Sequence, residues 1–458
     1  MRVTILGTGY VGLTTAVALA HLGNEVRCLD LDAHKVERLS RGECPIFEPG
    51  LEALMRASSS RLKFTTRADE AIPGAEVVFI TVGTPPLSDG SPDLSQVQSA
   101  AHAIGEHLAT DGAAFVTIVN KSTVPIGSGN LVDTLVREGI SARGRQQGQP
   151  AAHALASNPE FLREGAALND TFYPDRVVIG ADHPMAVEML AALYRPILDQ
   201  TFTPPPGLPR PDGFGPVPRV LTDLASAELI KYAANAFLAL KISFINEIGE
   251  IAERVGGDIL QVAEGIGLDR RIGPRFLQPG LGWGGSCFGK DTAALVATAA
   301  EYGLSMPTVQ AAREVNYRQR ARVVSKLLAE LKTLKGRTIG LLGLAFKPQT
   351  DDLRDAPGLD IARRLIERGA RVKAHDPVAL GRARQEHGAL GIEYCDDVAR
   401  VAAGSEALVL VTEWPEYQQL PWPALAASMR GAVLLDGRNF LSKPQLEAAG
   451  FRTLQMGR

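Results

Sequence analysis

The sequence predicts an α/β fold: two Rossmann-like, doubly wound domains joined by a long central helix. Three observations carry that expectation. Short apolar segments, several rich in Val and Ile, alternate with helical patterns over the N-terminal part of the chain, as parallel strands covered on both faces do. The same alternation restarts near residue 335. Between the two runs, residues 224–255 read as one uninterrupted helix.

In the first run the strand candidates are residues 3–7, 25–30, 62–66, 76–82, 114–119 and 176–180, with helical patterns between them such as 11–22 and 95–108. Residues 142–152, rich in Arg, Gln and Gly, read as a loop insertion. The Pro- and Gly-rich span 204–218 cannot be regular structure and is expected as an exposed loop or linker. Thr222 or Asp223 is placed to cap the long helix, and Gly256 with Gly257 to stop it. Such a helix is about 48 Å long at 1.5 Å per residue. Its apolar residues, among them Leu229, Ile230, Phe237, Leu240, Phe244, Ile248 and Ile251, wrap most of the circumference. A helix apolar all round needs cover on every side. That predicts a central helix joining two domains and packing on a second subunit, a homodimer; burial wholly within one chain is the alternative. In the second run, residues 338–344, 371–375, 407–412 and 432–436 read as strands. Its first turn, Gly340 to Phe346, lacks a complete glycine fingerprint, so a nucleotide there would be held by a different turn. The expected domains are 1–218, 219–325 and 326–458.

The composition is that of a globular protein of 458 residues, 45% hydrophobic and 22% charged. A net charge of −3 gives no electrostatic case for nucleic acid or an anionic membrane. No apolar run reaches the length of about 18 residues that a membrane span needs. Cys28, Cys44, Cys287 and Cys395 are far apart and form no CxxC pair. Neither a disulfide framework nor a metal site is expected, and a reducing compartment fits. The chain opens directly on a strand pattern with no signal-peptide pattern before it. A cytoplasmic enzyme is the expectation.

Gly7-Thr-Gly9-Tyr-Val-Gly12 follows a strand and opens a helix. Gly7 permits the tight turn, Gly9 lets a pyrophosphate approach the backbone, and Gly12 lets helix and strand pack closely. Asp30 ends the second strand, where a carboxylate accepts from a ribose hydroxyl and repels a 2′-phosphate. NAD is therefore favoured over NADP, with Lys35 nearby to soften the argument. Thr84, after the strand 76–82, is a further cofactor candidate or a simple turn residue.

The glycine-rich stretch Gly-Gly-Ser-Cys-Phe-Gly-Lys-Asp, residues 284–291, supplies a chemical partner for that cofactor. A thiol beside a nicotinamide captures an aldehyde and lets a second hydride leave. A nearby cation such as Lys290 would raise the thiolate fraction of Cys287. In Asn158-Pro-Glu160-Phe-Leu-Arg-Glu164 two carboxylates fall on one helical face if Pro159 starts a helix; a solvated charge pair is the bland reading. Lys231 and Asn235 share a face of the long helix amid apolar neighbours, and a buried lysine needs a partner or a purpose. Thr123, in Lys121-Ser-Thr123-Val-Pro125, either faces a ligand or caps a helix.

Taken together, these stretches identify a resemblance. GTGYVG, Pro45-Ile-Phe-Glu-Pro-Gly-Leu51, KSTVP, NPEFLREG, Asp175-Arg176-Val-Val-Ile-Gly180, Glu228-Leu-Ile-Lys-Tyr-Ala-Ala-Asn235, GGSCFGKD, Ala345-Phe-Lys347 and Thr350-Asp-Asp-Leu-Arg354 occur in order through most of the chain. The chain resembles the nucleotide-sugar 6-dehydrogenases, the family of the UDP-glucose, GDP-mannose and UDP-N-acetylmannosamine enzymes. The resemblance implies UDP-glucose as substrate, with GDP-mannose next and UDP-N-acetylmannosamine third. It implies a four-electron oxidation of the C6 alcohol to a carboxylate through a thiohemiacetal and a thioester on Cys287.

The roles it implies fall on matching positions. Cys287 is the nucleophile. Lys231 and Asp291 organise charge and a water, and Asn235 helps to hold the oxyanion. Glu160 and Thr123 assist proton transfer. Glu164 lies against substrate and cofactor, Lys347 and Arg438 contact the nucleotide sugar, and Arg354 reaches the cofactor. Arg271 reaches the substrate of the neighbouring subunit. Tyr10, Val11, Lys35 and Lys290 complete the cofactor contacts. Phe161, Leu162, Phe276, Gly280, Gly282, Gly284 and Phe346 complete those to the substrate. Gly289 departs from the family pattern, where proline is common. Two other classes stay open: a non-catalytic nucleotide-sugar sensor, which has no need of the set Cys287, Lys231, Asn235 and Asp291, and a two-electron alcohol dehydrogenase, which has no need of Cys287.

Overall fold

The computed structural model describes residues 1–87, 90–108, 115–142 and 152–458. The chain divides into two compact units, Met1–Ala233 and Ala234–Arg458. Each is built on one sheet.

Among the described residues the first unit holds β1 (Arg2–Leu6), β2 (Glu25–Leu29), β3 (Leu62–Thr65), β4 (Val77–Ile80), β5 (Val116–Asn120), β6 (His153–Ser157), β7 (Val177–Gly180) and β8 (Arg219–Thr222), in the order β3-β2-β1-β4-β5-β6-β7-β8. Strand order reverses between β1 and β4, the place where ligands bind in such sheets. Apolar residues alternate between two cores. Val77 and Phe79 join one, Val78 and Ile80 the other. A strand with both faces covered has no polar face, which is why these segments read as continuous apolar runs.

Expectation and structure differ at the far edge. Every strand was expected to be parallel, but β7 meets β6 antiparallel, and β8 follows β7 in parallel. β6 and β8 have ordinary composition and carry no strand signal. The expected strand at 114–119 begins on a residue outside those described; the observed strand is Val116–Asn120. Most of the expected loop insertion at 142–152 also lies outside them. The span 204–218 has no regular structure and most of its residues are exposed, as a loop, yet it is anchored. Phe202, Leu208, Phe214 and Val217 pack on the core, and the Tyr173 hydroxyl donates to the Leu208 carbonyl at 2.9 Å. Leu208, Phe214 and Val217 give it apolar surface to bury, which composition by Pro and Gly conceals.

The helix Leu224–Val255 begins where expected, with the Asp223 carboxylate accepting from the Ser226 amide at 2.7 Å. Gly256, at φ +76°, ends it. In the second unit, β9 (Thr338–Leu342), β10 (Arg371–His375), β11 (Ile392–Tyr394), β12 (Ala407–Leu410), β13 (Val433–Asp436) and β14 (Arg452–Gln455) form a fully parallel sheet, ordered β11-β10-β9-β12-β13-β14. β11 has three residues, and β14, Arg-Thr-Leu-Gln, has a single apolar one, so neither announces itself in sequence. The turn after β9 differs from the one after β1, as its glycine pattern predicts. Gly343 takes φ +101°, but no helix follows until Pro357. The Asp376 carboxylate holds this turn by accepting from the Leu344 and Ala345 amides, at 2.8 and 3.0 Å. No helix among the described residues is long and apolar enough to cross a membrane.

Candidate active site

In the first unit, β1 leads through Gly7, at φ +92°, straight into the helix Tyr10–His21. A Cβ on Gly12 would overlap the Gly7 carbonyl oxygen, so only glycine lets strand and helix close together. A Cβ on Gly9 would meet nothing within 4 Å. The space before the helix N-terminus, at Tyr10 and Val11, is therefore open, and no side chain caps it. That is the geometry an incoming pyrophosphate requires.

Asp30 flanks the same turn. Its Oδ2 accepts from the Thr8 amide at 2.9 Å, the Thr8 hydroxyl at 2.6 Å and Lys35 Nζ at 2.8 Å. Burial pushes the Asp30 carboxyl up, but the hydrogen bonds from Lys35, Thr8 and Asp32 outweigh it and hold the group below its ordinary value. Among the described residues Oδ1 accepts from the Asp32 amide alone, which leaves lone-pair capacity for a ribose hydroxyl. These residues fit a dinucleotide. Thr84 is buried and its hydroxyl donates to the Thr123 carbonyl at 2.9 Å, so it joins two strand-end loops and brings half-buried Thr123 to the crevice side of the sheet.

Glu48, given no role by the sequence reading, organises this end of the unit. Its buried carboxylate bonds the Tyr10 hydroxyl and accepts from the amides of Gly165 and Ala167, both at 2.7 Å. It thereby ties the fingerprint helix to the loop after half-buried Glu164.

Glu160 and Glu164 do not share a helical face. The segment 158–163 is irregular, and the next helix starts at Ala167. Glu160 instead forms a buried pair with Lys231: Nζ lies 2.9 Å from Oε1 and 2.7 Å from the Glu160 carbonyl, with the side chains 8% and 6% exposed. Glu160 Oε2 accepts from the Leu162 amide at 2.7 Å. Phe161 lies under the Arg176 guanidinium, 3.5 Å from its ring centroid. Burial pushes the Glu160 carboxyl up, but Lys231, the Leu162 amide and Lys121 overcome it and leave the group below its ordinary value.

Lys121 is a second buried cation that sequence reasoning passed over. Its Nζ donates to Asn158 Oδ1 at 2.9 Å, and the Tyr194 hydroxyl donates to the same oxygen at 2.7 Å. Burial pulls the Lys121 amine down to about 8; Glu160 resists that shift and Lys231 adds to it. Glu228, one turn before Lys231, accepts from the Gly127 and Gly129 amides at 2.6 and 3.1 Å and so pins the far end of the loop carrying Thr123. Burial pushes its carboxyl up to about 7 against the pull of the amides of Gly127, Gly129 and Ser128.

In the second unit, Cys287 is exposed, in the first turn of the helix Ser286–Glu301. A helix N-terminus favours a thiolate. The sequence reading gave Lys290 to the thiol, but its Nζ donates to the buried Asp291 at 2.7 Å. Asp291 also accepts from Asn235 Nδ2 at 2.5 Å. Asn235 and Asp291, two of the expected catalytic residues, are thus in direct contact.

The loop before Cys287 is tightly packed. Gly285 sits at φ +84°, where a Cβ would be 2.8 Å from the Phe346 ring, and a Cβ on Gly284 would be 2.6 Å from the Asp355 carbonyl oxygen. At Gly280 a Cβ would be 2.7 Å from the Gly437 carbonyl, and Gly282 takes φ +90°. Arg438 donates to the carbonyls of Val411 and Gly282, at 2.8 and 2.9 Å, so part of its fork ties this loop to the sheet. Half-buried Lys347 has its Nζ 5.5 Å from the centroid of the neighbouring Phe346 ring. Phe276, at φ +64°, places its ring centroid 6.3 Å from that of Phe288. Arg354 forks onto Asp352, and Arg271, with its side chain 89% exposed, onto Asp269.

Three family models cover this chain. They describe the UDP-glucose/GDP-mannose dehydrogenase family's NAD binding domain, at residues 1–198, its central domain, at 225–318, and its UDP binding domain, at 340–443. The chain belongs to the UDP-glucose/GDP-mannose dehydrogenase family. It is an NAD-dependent oxidoreductase. Among curated relatives, the UDP-glucose 6-dehydrogenase YwqF of Bacillus subtilis is 42% identical over all of this chain and 98% of its own length. The UDP-glucose 6-dehydrogenase of Pseudomonas aeruginosa is also 42% identical, over all of this chain and 98% of its own. A solved UDP-glucose dehydrogenase from the archaeon Pyrobaculum islandicum superposes with a TM-score of 0.85 at 41% identity, covering 96% of this chain and 94% of that one. The cofactor cradle on Gly9 and Asp30 lies within the part matched to the family's NAD binding domain.

Proposed function

We propose that the protein oxidises UDP-glucose to UDP-glucuronate, with Cys287 as the covalent nucleophile. The observation that carries this reading is the exposed thiol in the first turn of a helix whose next turn holds the Asn235–Asp291 contact. Full-length similarity to UDP-glucose enzymes supports the choice of sugar.

Gly7, Gly9, Gly12 and Asp30 would hold NAD, which would supply the hydride acceptor for both oxidations. Lys231 is fixed by Glu160 and donates to the oxygen on C6, where negative charge develops as the alcohol loses its proton. A well-placed donor of this kind is worth about 3–4 kcal/mol. Glu160 and Thr123 relay the departing proton through water. Cys287 sulfur then bonds to C6 of the aldehyde, and the carbonyl oxygen takes a proton to give the thiohemiacetal. Loss of hydride from C6 and of that proton gives the thioester. Water, oriented by Asp291, adds to the thioester carbon, the C–S bond breaks, and the thiol is regenerated with the carboxylate. Asn235 supports the oxyanion in both tetrahedral stages. Lys347 and Arg438 bind the nucleotide sugar, and Arg354 and Lys290 contact the cofactor. A sensor would have no use for this donor set.

We further propose a homodimer in the cytoplasm. Phe237, Phe244 and Ile251 repeat at heptad spacing, Val255 follows one turn later, and they are 61%, 49%, 56% and 74% exposed, a stripe that a second copy would cover. Arg271 then acts on the substrate of the neighbouring subunit. The four cysteines are far apart in sequence and form no CxxC pair, which suits a reducing compartment.

The test is NADH production from UDP-glucose, GDP-mannose and UDP-N-acetylmannosamine at equal concentration. UDP-glucose gives the highest kcat/KM. No turnover of UDP-glucose overturns the reading.

A further inference from the structure

The helix Pro307–Leu331 turns one row of side chains toward the segment that carries Cys287. Asn316 makes two bonds to Trp283: Oδ1 accepts from its amide at 2.7 Å, and Nδ2 donates to its carbonyl at 3.0 Å. Arg320 Nη2 donates to the same carbonyl at 3.1 Å. One turn earlier, Arg313 Nη1 donates to the Gly289 carbonyl at 2.6 Å and to the Thr292 hydroxyl at 2.7 Å. That hydroxyl donates in turn to the Phe288 carbonyl at 2.6 Å. Residues 313, 316 and 320 share one face. Between them they grip the chain on both sides of Cys287.

The grip falls on a weak point. Gly289 lies in the first turn of the Cys287 helix, where glycine lowers rigidity. Nothing there demands glycine: a Cβ would meet Asp355 Oδ2 at 3.5 Å and Trp283 at 3.9 Å, both ordinary contacts. The backbone of this turn is therefore intrinsically loose and is held from outside.

We propose that Arg313 is a positioning residue for Cys287, holding the first turn of its helix so that the thiol meets the C6 aldehyde before the aldehyde escapes. The inference rests on the covalent role proposed above for Cys287. Arg313 touches neither substrate nor cofactor in this account; it acts through Gly289 and Thr292.

The test compares the wild type, Arg313→Met and the double variant Arg313→Met with Gly289→Ala, turning over UDP-glucose with semicarbazide as aldehyde trap. The wild type forms two NADH per UDP-glucuronate, and any other wild-type ratio speaks against the covalent reading itself. With a loosened thiol, each escaped aldehyde yields one NADH and no acid. The ratio in Arg313→Met therefore rises above two and trapped aldehyde accumulates, while KM for UDP-glucose and the pH midpoint of Cys287 alkylation stay as in the wild type. Gly289→Ala, which stiffens the turn, brings the ratio back toward two. If Arg313→Met does not fold, Arg313→Gln, too short to reach Gly289, is read in its place with the same expectation. A ratio of two in the folded variant, a shifted alkylation midpoint, or no recovery with Gly289→Ala overturns the proposal.

Discussion

Replacing Lys231 by Met removes one charge of a buried pair and keeps the side-chain volume. Both partners are almost sealed from water, at 6% and 8% exposure, so among the described residues Glu160 is left with Lys121 as its nearby cation. Stranding one member of such a pair costs about 3–5 kcal/mol. In a unit of this size each kcal/mol lowers Tm by about 2–4 °C, so the expected fall is on the order of 10 °C. The sign of the pH dependence follows from Glu160. In the wild type its carboxyl sits below the ordinary 4.5, so its stabilisation is present above 4.5 and lost as the pH falls from there through the lower folded-state value. Without Lys231, burial prevails and the carboxyl rises, so the variant loses stability as the pH climbs from 4.5 toward neutrality. The Tm gap is therefore wider at neutral pH than in mild acid. Adding Glu160→Gln removes the stranded charge and recovers part of the loss. Differential scanning fluorimetry on the four proteins reads the cycle, and kcat of Lys231→Met falls by roughly 100-fold or more. A Tm change under about 2 °C, or a double variant less stable than Lys231→Met, would refute the reasoning.

Further expectations concern the cofactor cradle and the second buried lysine. Gly9→Ala folds with an unchanged Tm but binds NAD at least about tenfold more weakly, whereas Gly12→Ala loses Tm as well; calorimetry and thermal unfolding separate the two. Asp30→Ala weakens NAD and frees Lys35 for a 2′-phosphate, so the NADP/NAD ratio of kcat/KM rises, and a ratio that stays flat denies Asp30 its role. Lys121, with its amine pulled from 10.5 to about 8, binds fewer protons folded than unfolded between those values. Stability relative to Lys121→Met therefore grows as pH rises from 8 to 10.5, by up to about 3 kcal/mol, and thermal unfolding across that window reads it. Cys287→Ser leaves Tm unchanged, since the thiol is exposed, and forms no UDP-glucuronate; net acid formation would reject the nucleophile.

What the sequence disclosed was local. Gly7, Gly9, Gly12 and Asp30 act within one strand–turn–helix–strand unit, and residue types at fixed spacing state their geometry directly. The long helix was legible for the same reason, from its cap at Asp223 to Gly256. Features that depend on distant neighbours were not. Lys121 stood in a quoted motif without a role, because only the fold brings Asn158, Tyr194 and Glu160 around it. Glu48 was likewise quoted and unassigned, since its partners Tyr10 and Gly165 are remote in sequence. The condition that would have put Glu160 and Glu164 on one face, a helix starting at Pro159, is not met, and Glu160 pairs instead with Lys231, 71 residues away. For Lys121 the available hint was its position directly after a strand rich in Val and Ile. The reversed direction of β7 and β8 left no trace in composition at all.

The account stands on a thiol that carries the sugar between two oxidations. Its most direct measurement is the number of NADH formed for each UDP-glucose consumed when the wild-type protein runs to completion. The value expected is two, with all carbon recovered as the uronate. A value of one, with the aldehyde as end product, would contradict it.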